Sequence, residues 1–211
     1  RQIVRENEVV AGDDGLRNGY AQSKWVADLM MRRSRDRGFA VSIYRPAFVG
    51  WHSASGRYGE RDLVALLLIA SAKAGCAPRL DLQINATPVD YVASALVSSL
   101  TTPTGIGKTY HLANREAVRF VELARMGKIE VVEHAHWQEE ISKKAPEFLH
   151  FARMVCLADA DDASGSEELR FQHNRIYENA TLRSVLGDRF IPPPPVNEAY
   201  LGKLWASLQS T

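Results

Sequence analysis

A tyrosine and a lysine lie four residues apart in "NGYAQSKWVAD" (residues 18–28), and together they could deliver a proton. Positions i and i+4 share one face of a helix, so Tyr20 and Lys24 would point the same way. Reduction of a carbonyl needs a proton at the developing alkoxide. A phenol, whose unperturbed pKa is about 10, can supply it more readily once a neighbouring ammonium lowers that pKa. The same spacing also arises by chance in many helices, so the surrounding elements must distinguish the two interpretations.

The surrounding segment predicts a helix from Gly19 to Arg37. Asn18 is a suitable N-cap, and Gly38 follows the last turn as a C-terminal stop. An apolar stripe along this helix is expected to pack against the rest of the domain. Its members are Trp25, Val26, Leu29 and Met30. A helix packed in this way would hold the tyrosine and the lysine in fixed positions.

The next segment, "FAVSIYRP" (residues 39–46), is short and rich in β-branched and aromatic residues. It predicts a buried strand that ends at Pro46. A loop containing glycine, serine and histidine follows and leads into an apolar helix over residues 62–74. Within this loop, His52 and Ser53 are either polar groups beside a substrate or ordinary loop residues, and the sequence leaves both interpretations open.

Strands and helices alternate along the rest of the chain, which predicts an α/β domain with a parallel sheet. Asp90 is placed to be the N-cap of the helix that follows it. The stretch "GKTYHLAN" (residues 107–114) predicts a strand in which His111 has its hydrogen bonds satisfied internally. Residues 1–18 are predicted to be an irregular lead-in, and the acidic residues 158–168 a surface loop.

The overall composition argues against several classes of protein. Apolar residues make up 45% and charged residues 24%, and the formal net charge of +1 provides no general attraction for nucleic acid or an anionic membrane. The longest apolar run is too short to span a bilayer, and no signal peptide is evident. Cys76 and Cys156 lie far apart and outside metal-binding spacings. We therefore expect buried thiols in a reducing, cytoplasmic compartment, and no metal site.

The order of these elements resembles the extended short-chain dehydrogenase/reductase superfamily. There the strand after a Y-x-x-x-K helix ends in R-P-x-x-V-x-G, and this chain has Arg45, Pro46, Val49 and, shifted by one position, Gly50. Four stretches in matching order further resemble the thioester reductase family. This family comprises the terminal reductase domains of nonribosomal peptide and polyketide synthetases and the related carboxylic acid reductases. The stretches read "GYAQSKWVAD", "IYRPAFVGWHSASG", "TPVDYVASALV" and "KTYHLAN".

This resemblance implies an NADP(H)-dependent reduction of an acyl or peptidyl thioester on the phosphopantetheine arm of a carrier protein. The product would be an aldehyde, and in some members an alcohol. Tyr20 would be the proton donor, and Lys24 its activator and the ligand of the cofactor ribose. His52 and Ser53 would border the substrate. The expected wall beside the nicotinamide is the backbone of Pro46, Ala47, Phe48 and Val49.

The family pattern also requires a glycine-rich turn for the cofactor pyrophosphate and a catalytic threonine or serine on an earlier strand. Neither is found, because "TPTGIGK" (residues 102–108) has the context of a plain loop and Ser23 lies inside the predicted helix. We therefore expect the C-terminal part of a Rossmann-like domain, with the missing N-terminal half of the same domain as its partner. Residues 1–114 would belong to the cofactor-binding domain, and residues 115–211 mostly to a smaller helical subdomain that binds substrate and carrier protein.

Three other functions remain open at this point. The chain could belong to another extended short-chain reductase or epimerase that acts on a soluble small molecule, although the loop "GWHSASG" and the stretch "TPVDYVA" favour the thioester reductases. It could belong to a release domain that has lost its redox chemistry and cyclises the product. It could also be a non-catalytic module that docks a carrier protein.

Overall fold

The computed structural model describes residues 2–9, 19–160 and 175–209 of the chain. Short strands and longer helices alternate along these residues. The strands are Gln2–Val4 (β1), Ile43–Pro46 (β2), Phe48–Gly50 (β3), Cys76–Pro78 (β4), Gln83–Ile84 (β5), Ala86–Pro88 (β6), Thr109–Leu112 (β7), Val118–Arg119 (β8), Glu130–Val132 (β9) and Arg175–Tyr177 (β10). The helices are Gly19–Asp36 (α1), Leu63–Ala74 (α2), Val89–Leu100 (α3), Phe120–Met126 (α4), His134–Lys144 (α5), Leu149–Ala160 (α6), Ala180–Leu186 (α7) and Glu198–Leu208 (α8).

The chain forms two compact units, each assembled from three segments. The first unit combines Arg1–Ser53, Asn85–Glu116 and Asn174–Pro195. Its strands pair in parallel, β1 with β10, β2 with β7 and β3 with β6. Parallel pairing brings the carboxyl ends of neighbouring strands to one edge, which is where ligand sites of α/β folds gather. The predicted α/β fold with parallel strands is therefore confirmed.

An apolar core covers one face of the β2–β7 pair. Tyr44 and Tyr110 are partners in the register, and their rings stack with centroids 5.0 Å apart. The buried residues of this core, drawn from α3, β7 and α7, are Tyr91, Val92, Ala95, Tyr110, Leu112, Leu182, Val185 and Leu186. Side chains alternate along a strand, so the next pair in the register, Arg45 and His111, points to the opposite face. The aromatic core thereby fixes the direction of Arg45.

The second unit combines Ala54–Ile84, Ala117–His173 and Val196–Thr211. Here β4 pairs in parallel with β9, and β5 pairs antiparallel with β8. The apolar helix predicted for residues 62–74 is confirmed as α2, and Asp62 caps it by accepting a hydrogen bond of 2.9 Å from the Ala65 backbone N–H. This helix packs against α5, whose Trp137 and Ile141 are fully buried.

Three sequence predictions about elements were wrong. The predicted irregular lead-in contains β1, whose parallel partner β10 lies at the other end of the chain and leaves no local trace in the sequence. The strand predicted over residues 39–46 is limited to β2. Phe39 is 66% exposed, and its backbone N–H donates to the Ser34 carbonyl in the turn that follows α1. The apolar stripe of α1 is also split, because Val26 and Met30 are exposed while the other two members are half-buried.

Some predictions fall outside the part of the chain that the structure describes. These are the N-cap Asn18 and the acidic loop from residue 161 onward, while α6 includes residues 158–160. Cys76 is buried with a free thiol, as predicted. Within the described ranges, the longest and most apolar helices fall short of the length and hydropathy needed to cross a membrane.

The last helix of the second unit packs directly on a glycine. A Cβ atom at Gly127 would lie 2.3 Å from Cζ2 of Trp205, whose indole nitrogen donates a hydrogen bond of 2.9 Å to the Leu123 carbonyl. The ring is therefore held in place and cannot move aside. Gly202, inside α8, has open space around the equivalent position.

We predict opposite effects of alanine at these two glycines. Gly127→Ala should lower the free energy of unfolding by about 1–3 kcal/mol through overpacking. Gly202→Ala should raise it by about 0.5–1 kcal/mol, because alanine favours a helix interior. Urea unfolding of both variants measures the difference. Equal effects of the two substitutions would contradict the packing of Trp205 on Gly127.

Candidate functional site

The tyrosine and the lysine lie on the first turns of α1, within the first unit. Tyr20 is 62% exposed, Lys24 is exposed, and the lysine Nζ lies 5.4 Å from the centroid of the tyrosine ring. The Ser23 hydroxyl donates a hydrogen bond of 2.7 Å to the Tyr20 carbonyl, so this serine acts inside the helix as predicted. The two side chains thus share one face of α1, and among the described residues both the phenol and the ammonium are exposed.

The segment predicted as the nicotinamide wall is where the chain changes its strand partner. Pro46 is the last residue of β2 and pairs with Leu112 of β7, and the Ala47 backbone N–H donates to the Leu112 carbonyl at 3.1 Å. Phe48 then begins β3, which pairs with β6. Ala47 and Phe48 are half-buried, whereas Val49 is 37% exposed. The wall is therefore a backbone held from two sides, with the apolar side chains of Pro46 and Val49 exposed on its surface.

The helix that carries the pair is tied to this wall by an ion pair. Arg45, the residue before Pro46, donates to both Asp28 carboxylate oxygens, from Nε at 2.9 Å and from Nη2 at 2.7 Å. Arg32 also donates to this carboxylate at 2.8 Å. Burial raises the pKa of the Asp28 carboxyl, but the hydrogen bonds from Arg45 and Arg32 outweigh it and hold the pKa below its ordinary value.

The loop after β3 is fastened to the start of α3. The Ser53 backbone N–H donates to Oδ1 of Asp90 at 2.8 Å, and its hydroxyl donates to Oδ2 at 2.6 Å. Asp90 was predicted to be the N-cap of this helix, and that prediction was wrong. The N-cap position is Pro88, and the Asp90 carboxylate turns to the two donors of Ser53. Burial raises the pKa of Asp90, but the Ser53 hydrogen bonds and the nearby His52 hold it below its ordinary value.

A buried amide network links the start of β6 to the residues that follow β7. The Asn114 backbone N–H donates to Oδ1 of Asn85 and to Oγ1 of Thr87, both at 2.9 Å, and the Asn85 amide donates to the Asn114 carbonyl at 2.7 Å. Asn114 also donates to the Pro194 carbonyl at 2.6 Å. The sequence analysis missed this network. Its trace was the placement of polar residues in otherwise apolar strand stretches, "INATP" and "HLAN".

A second buried polar contact was also missed. Glu6 is 4% exposed and accepts hydrogen bonds from the His111 backbone N–H at 3.1 Å and from both the N–H and the hydroxyl of Thr181. The Glu6 carboxylate thus accepts from a backbone N–H in the first turn of α7, where the side chain of the N-cap residue Asn179 makes no capping hydrogen bond. His111 is buried, as predicted, with Nδ1 3.1 Å from the Glu178 carbonyl. Burial and the Arg45 charge lower its pKa.

The G-x-G stretch of residues 102–108 is a loop, as predicted. It contains a short 3₁₀ turn, Pro103–Gly105. A Cβ atom at Gly105 would lie 2.2 Å from the Ser99 carbonyl, so close packing on the end of α3 accounts for this glycine. No group of three or more histidine, cysteine, aspartate or glutamate side chains in the described residues could hold a metal ion.

The residues present fit the nicotinamide end of a dinucleotide site. The exposed phenol of Tyr20 and the ammonium of Lys24 lie on α1. Arg45 of β2, next to the wall, holds this helix through its ion pair with Asp28. The ammonium can donate to ribose hydroxyls, and the apolar surface at Val49 suits an uncharged ring face. The glycine-rich turn that a pyrophosphate requires has no counterpart in this sequence.

The Ser53 contact predicts a measurable titration. Ser53→Ala removes the hydroxyl donor and should raise the pKa of Asp90, because burial then acts with less opposition. A carboxylate with a lowered pKa stabilises the fold above the unfolded-state pKa, and this stabilisation is lost as pH falls through the folded-state pKa. The variant should therefore unfold at a higher pH during acid titration.

Carboxyl ¹³C NMR between about pH 2 and 7 spans the ordinary aspartate pKa and checks this shift. Ser55→Ala is the matched control, because this serine lies in the same loop and its hydroxyl accepts a hydrogen bond from the Arg57 N–H. An unchanged Asp90 titration in Ser53→Ala would show that the hydroxyl contact is absent in solution.

Comparison with known proteins gives the context of this site. The family model described as male sterility protein, an NAD-binding family, matches residues 2–96. The nonribosomal peptide synthetase FrzA of Cladobotryum sp. is 34% identical over 179 residues, which is 80% of this chain and 17% of that protein. The chain thus spans less than a fifth of the length of this relative.

Two solved structures share the fold. The terminal R domain of the myxalamid polyketide–nonribosomal peptide pathway has a TM-score of 0.80 at 30% identity, covering 100% of this chain and 54% of that one. A thiolation-reductase di-domain of an archaeal nonribosomal peptide synthetase has a TM-score of 0.71 at 17% identity, covering 99% of this chain and 44% of that one. At the lower identity the similarity shows the fold alone.

Proposed function

We propose that the chain forms part of a thioester-reducing release domain of the extended short-chain dehydrogenase/reductase superfamily. The proposal starts from its similarity to a nonribosomal peptide synthetase and to a terminal R domain of a polyketide–nonribosomal peptide pathway. Its substrate would be an acyl or peptidyl thioester on a carrier protein, and its product an aldehyde. The observation that carries this proposal is the accessible Tyr20–Lys24 pair on a helix that is tied to the strand leading into the Pro46–Val49 wall.

Each residue of the pair has a separate task in this proposal. A nicotinamide, when bound, supplies the hydride that adds to the thioester carbonyl carbon. Tyr20 gives its proton to the resulting alkoxide oxygen, and Lys24 stabilises the phenolate that remains. The hemithioacetal then collapses by breaking its C–S bond, which yields the aldehyde and the free thiol of the carrier arm. Lys24 also donates to the ribose hydroxyls and so sets the distance between cofactor and phenol.

The remaining parts of the proposal rest on the family. We take the cofactor to be NADPH, held at its nicotinamide end by the backbone of Pro46, Ala47, Phe48 and Val49. His52 and Ser53 would border the substrate, with Ser53 acting through its fixed backbone because its hydroxyl already donates to Asp90. Residues 115–211 would contribute mostly to binding of the substrate and the carrier protein.

The reaction is tested in an intact reductase domain that contains this chain. We expect NADPH-dependent formation of an aldehyde from an acyl thioester loaded on a phosphopantetheinylated carrier protein, followed at 340 nm and by trapping of the aldehyde. Tyr20→Phe should reduce kcat by about 100-fold or more, since a general acid contributes on this scale. The NADPH dissociation constant serves as the control and should change little.

Two results would contradict this function. Reduction of the thioester by Tyr20→Phe at nearly the wild-type rate would remove Tyr20 from the chemistry. Turnover of a soluble nucleotide sugar in place of the carrier-bound thioester would assign the chain to another branch of the superfamily.

The isolated 211 residues should bind NADPH weakly or not at all. Lys24 and the Pro46–Val49 wall would contact only the nicotinamide and its ribose, and the sequence has no glycine-rich turn for the pyrophosphate. Titration of NADPH fluorescence with the isolated chain measures this affinity. Dissociation constants in the micromolar range would show that the cofactor site is complete within these residues.

A further inference from the structure

The helix that carries the proposed proton donor has no buried side chain. A surface helix is ordinarily positioned by an apolar stripe that faces the core. In α1, Trp25 and Leu29 are only half-buried, while Val26 and Met30 are 43% and 57% exposed. The orientation of α1 must therefore depend strongly on its polar contacts.

One of these contacts is the bidentate ion pair between Asp28 and Arg45. Both side chains are 20% exposed, and Arg32, which shares the carboxylate, is 11% exposed. A planar guanidinium that donates two parallel hydrogen bonds fixes direction as well as distance. On the strand side, the direction of Arg45 is already set by the stacked Tyr44 and Tyr110 on the other face.

Asp28 lies in the same row of α1 as the proposed catalytic pair. Tyr20, Lys24 and Asp28 follow one another at intervals of four residues and so lie on one face of the helix. A contact at Asp28 therefore sets the rotation of the helix about its axis, and this rotation decides where the phenol and the ammonium point.

The same spacing creates a competition for the lysine. An ammonium and a carboxylate at i and i+4 are close enough to pair, so Lys24 could reach Asp28. Instead, Lys24 leans over the Tyr20 ring and has no ion-pair partner within the described residues. Both carboxylate oxygens of Asp28 are already occupied, Oδ1 by Arg45 and Oδ2 by Arg45 and Arg32.

We propose that Arg45 and Asp28 are positioning residues, which orient α1 and keep the Asp28 carboxylate away from Lys24. Arg45 thereby leaves the ammonium free for the phenol and the cofactor ribose. This inference rests on the proposed function for its catalytic meaning, but the competition between the two cations for Asp28 exists in the unliganded protein.

A spectroscopic test follows from the position of Lys24 over the Tyr20 ring. In the wild-type domain, the ring current should shift the NMR signals of the Lys24 ε-methylene protons. Arg45→Met frees Oδ1 of Asp28, draws Lys24 toward it and should abolish the shift. Asp28→Asn, and the double variant that combines Asp28→Asn with Arg45→Met, remove the competing charge and should retain the shift. Lys73, which lies 5.3 Å from the Phe148 ring centroid, is an internal control whose signals should not change.

Kinetics of the intact domain provide the second measurement. We expect Arg45→Met to lower kcat by about tenfold, because displacement of a catalytic group by about 1 Å can cost more than this. The NADPH dissociation constant should also rise, since Lys24 holds the ribose in this proposal. In the double variant Lys24 no longer has a carboxylate at position 28 to pair with, so its NADPH affinity should lie between those of Arg45→Met and the wild type. Lys73→Met, which breaks an exposed ion pair with Glu147, is the control and should leave both quantities unchanged.

Arg45→Lys keeps the test decisive if Arg45→Met does not fold. Lysine retains the charge but lacks the bidentate fork, so it should hold Asp28 less firmly and give an intermediate loss of the Lys24 shift. An unchanged Lys24 shift in both Arg45 variants, or an equal loss in Asp28→Asn, would overturn the proposal. If the wild-type domain reduces no thioester, the proposed function fails, while the Lys24 signals still decide the competition at Asp28.

Discussion

The ion pair between Asp28 and Arg45 is the contact on which the arrangement of the site depends. It joins a helix without buried side chains to a strand whose other face is packed in the apolar core. The stacked tyrosines of the core therefore fix the position of Arg45, and Arg45 in turn fixes the orientation of α1. An apolar contact would have bound the helix more loosely in rotation, whereas a bidentate hydrogen bond defines one orientation.

Polar contacts also fix the segments around β6 and β7, while apolar residues form the core behind them. Asn85, Thr87 and Asn114 form hydrogen bonds with one another, and Asp90 holds the loop at Ser53. Asn85, Thr87 and Asn114 are buried and Asp90 is half-buried. For buried polar groups, loss of a hydrogen-bond partner costs more free energy than the hydrogen bond contributes. The loops of the site are thus fixed by complete sets of hydrogen bonds, while the apolar residues behind them supply most of the burial.

Much of the fold and part of the site could be predicted from the sequence. The Y-x-x-x-K helix, the strand ended by Pro46 and the capped helix after Asp62 have local signals that tertiary contacts do not override. The pairing of β1 with β10 and the role of Glu6 could not be predicted, because both depend on residues from opposite ends of the chain. Asp90 was misassigned because a carboxylate near a helix start suits a cap, and only the structure shows the two competing donors of Ser53.

Contacts between segments near the two ends of the chain complete the first unit, and this has a consequence for how it folds. Glu6 and Thr181 are 175 positions apart, and the paired residues of β1 and β10, such as Gln2 and Arg175, are 173 positions apart. Contacts between residues so far apart in sequence carry a large loop-closure cost and are associated with slow folding. During synthesis, the helix with Tyr20 emerges long before β10 and α7 are available to cover β7. The core that fixes Arg45, and through it α1, should therefore be complete only late in folding, after the second unit's middle segments have been made.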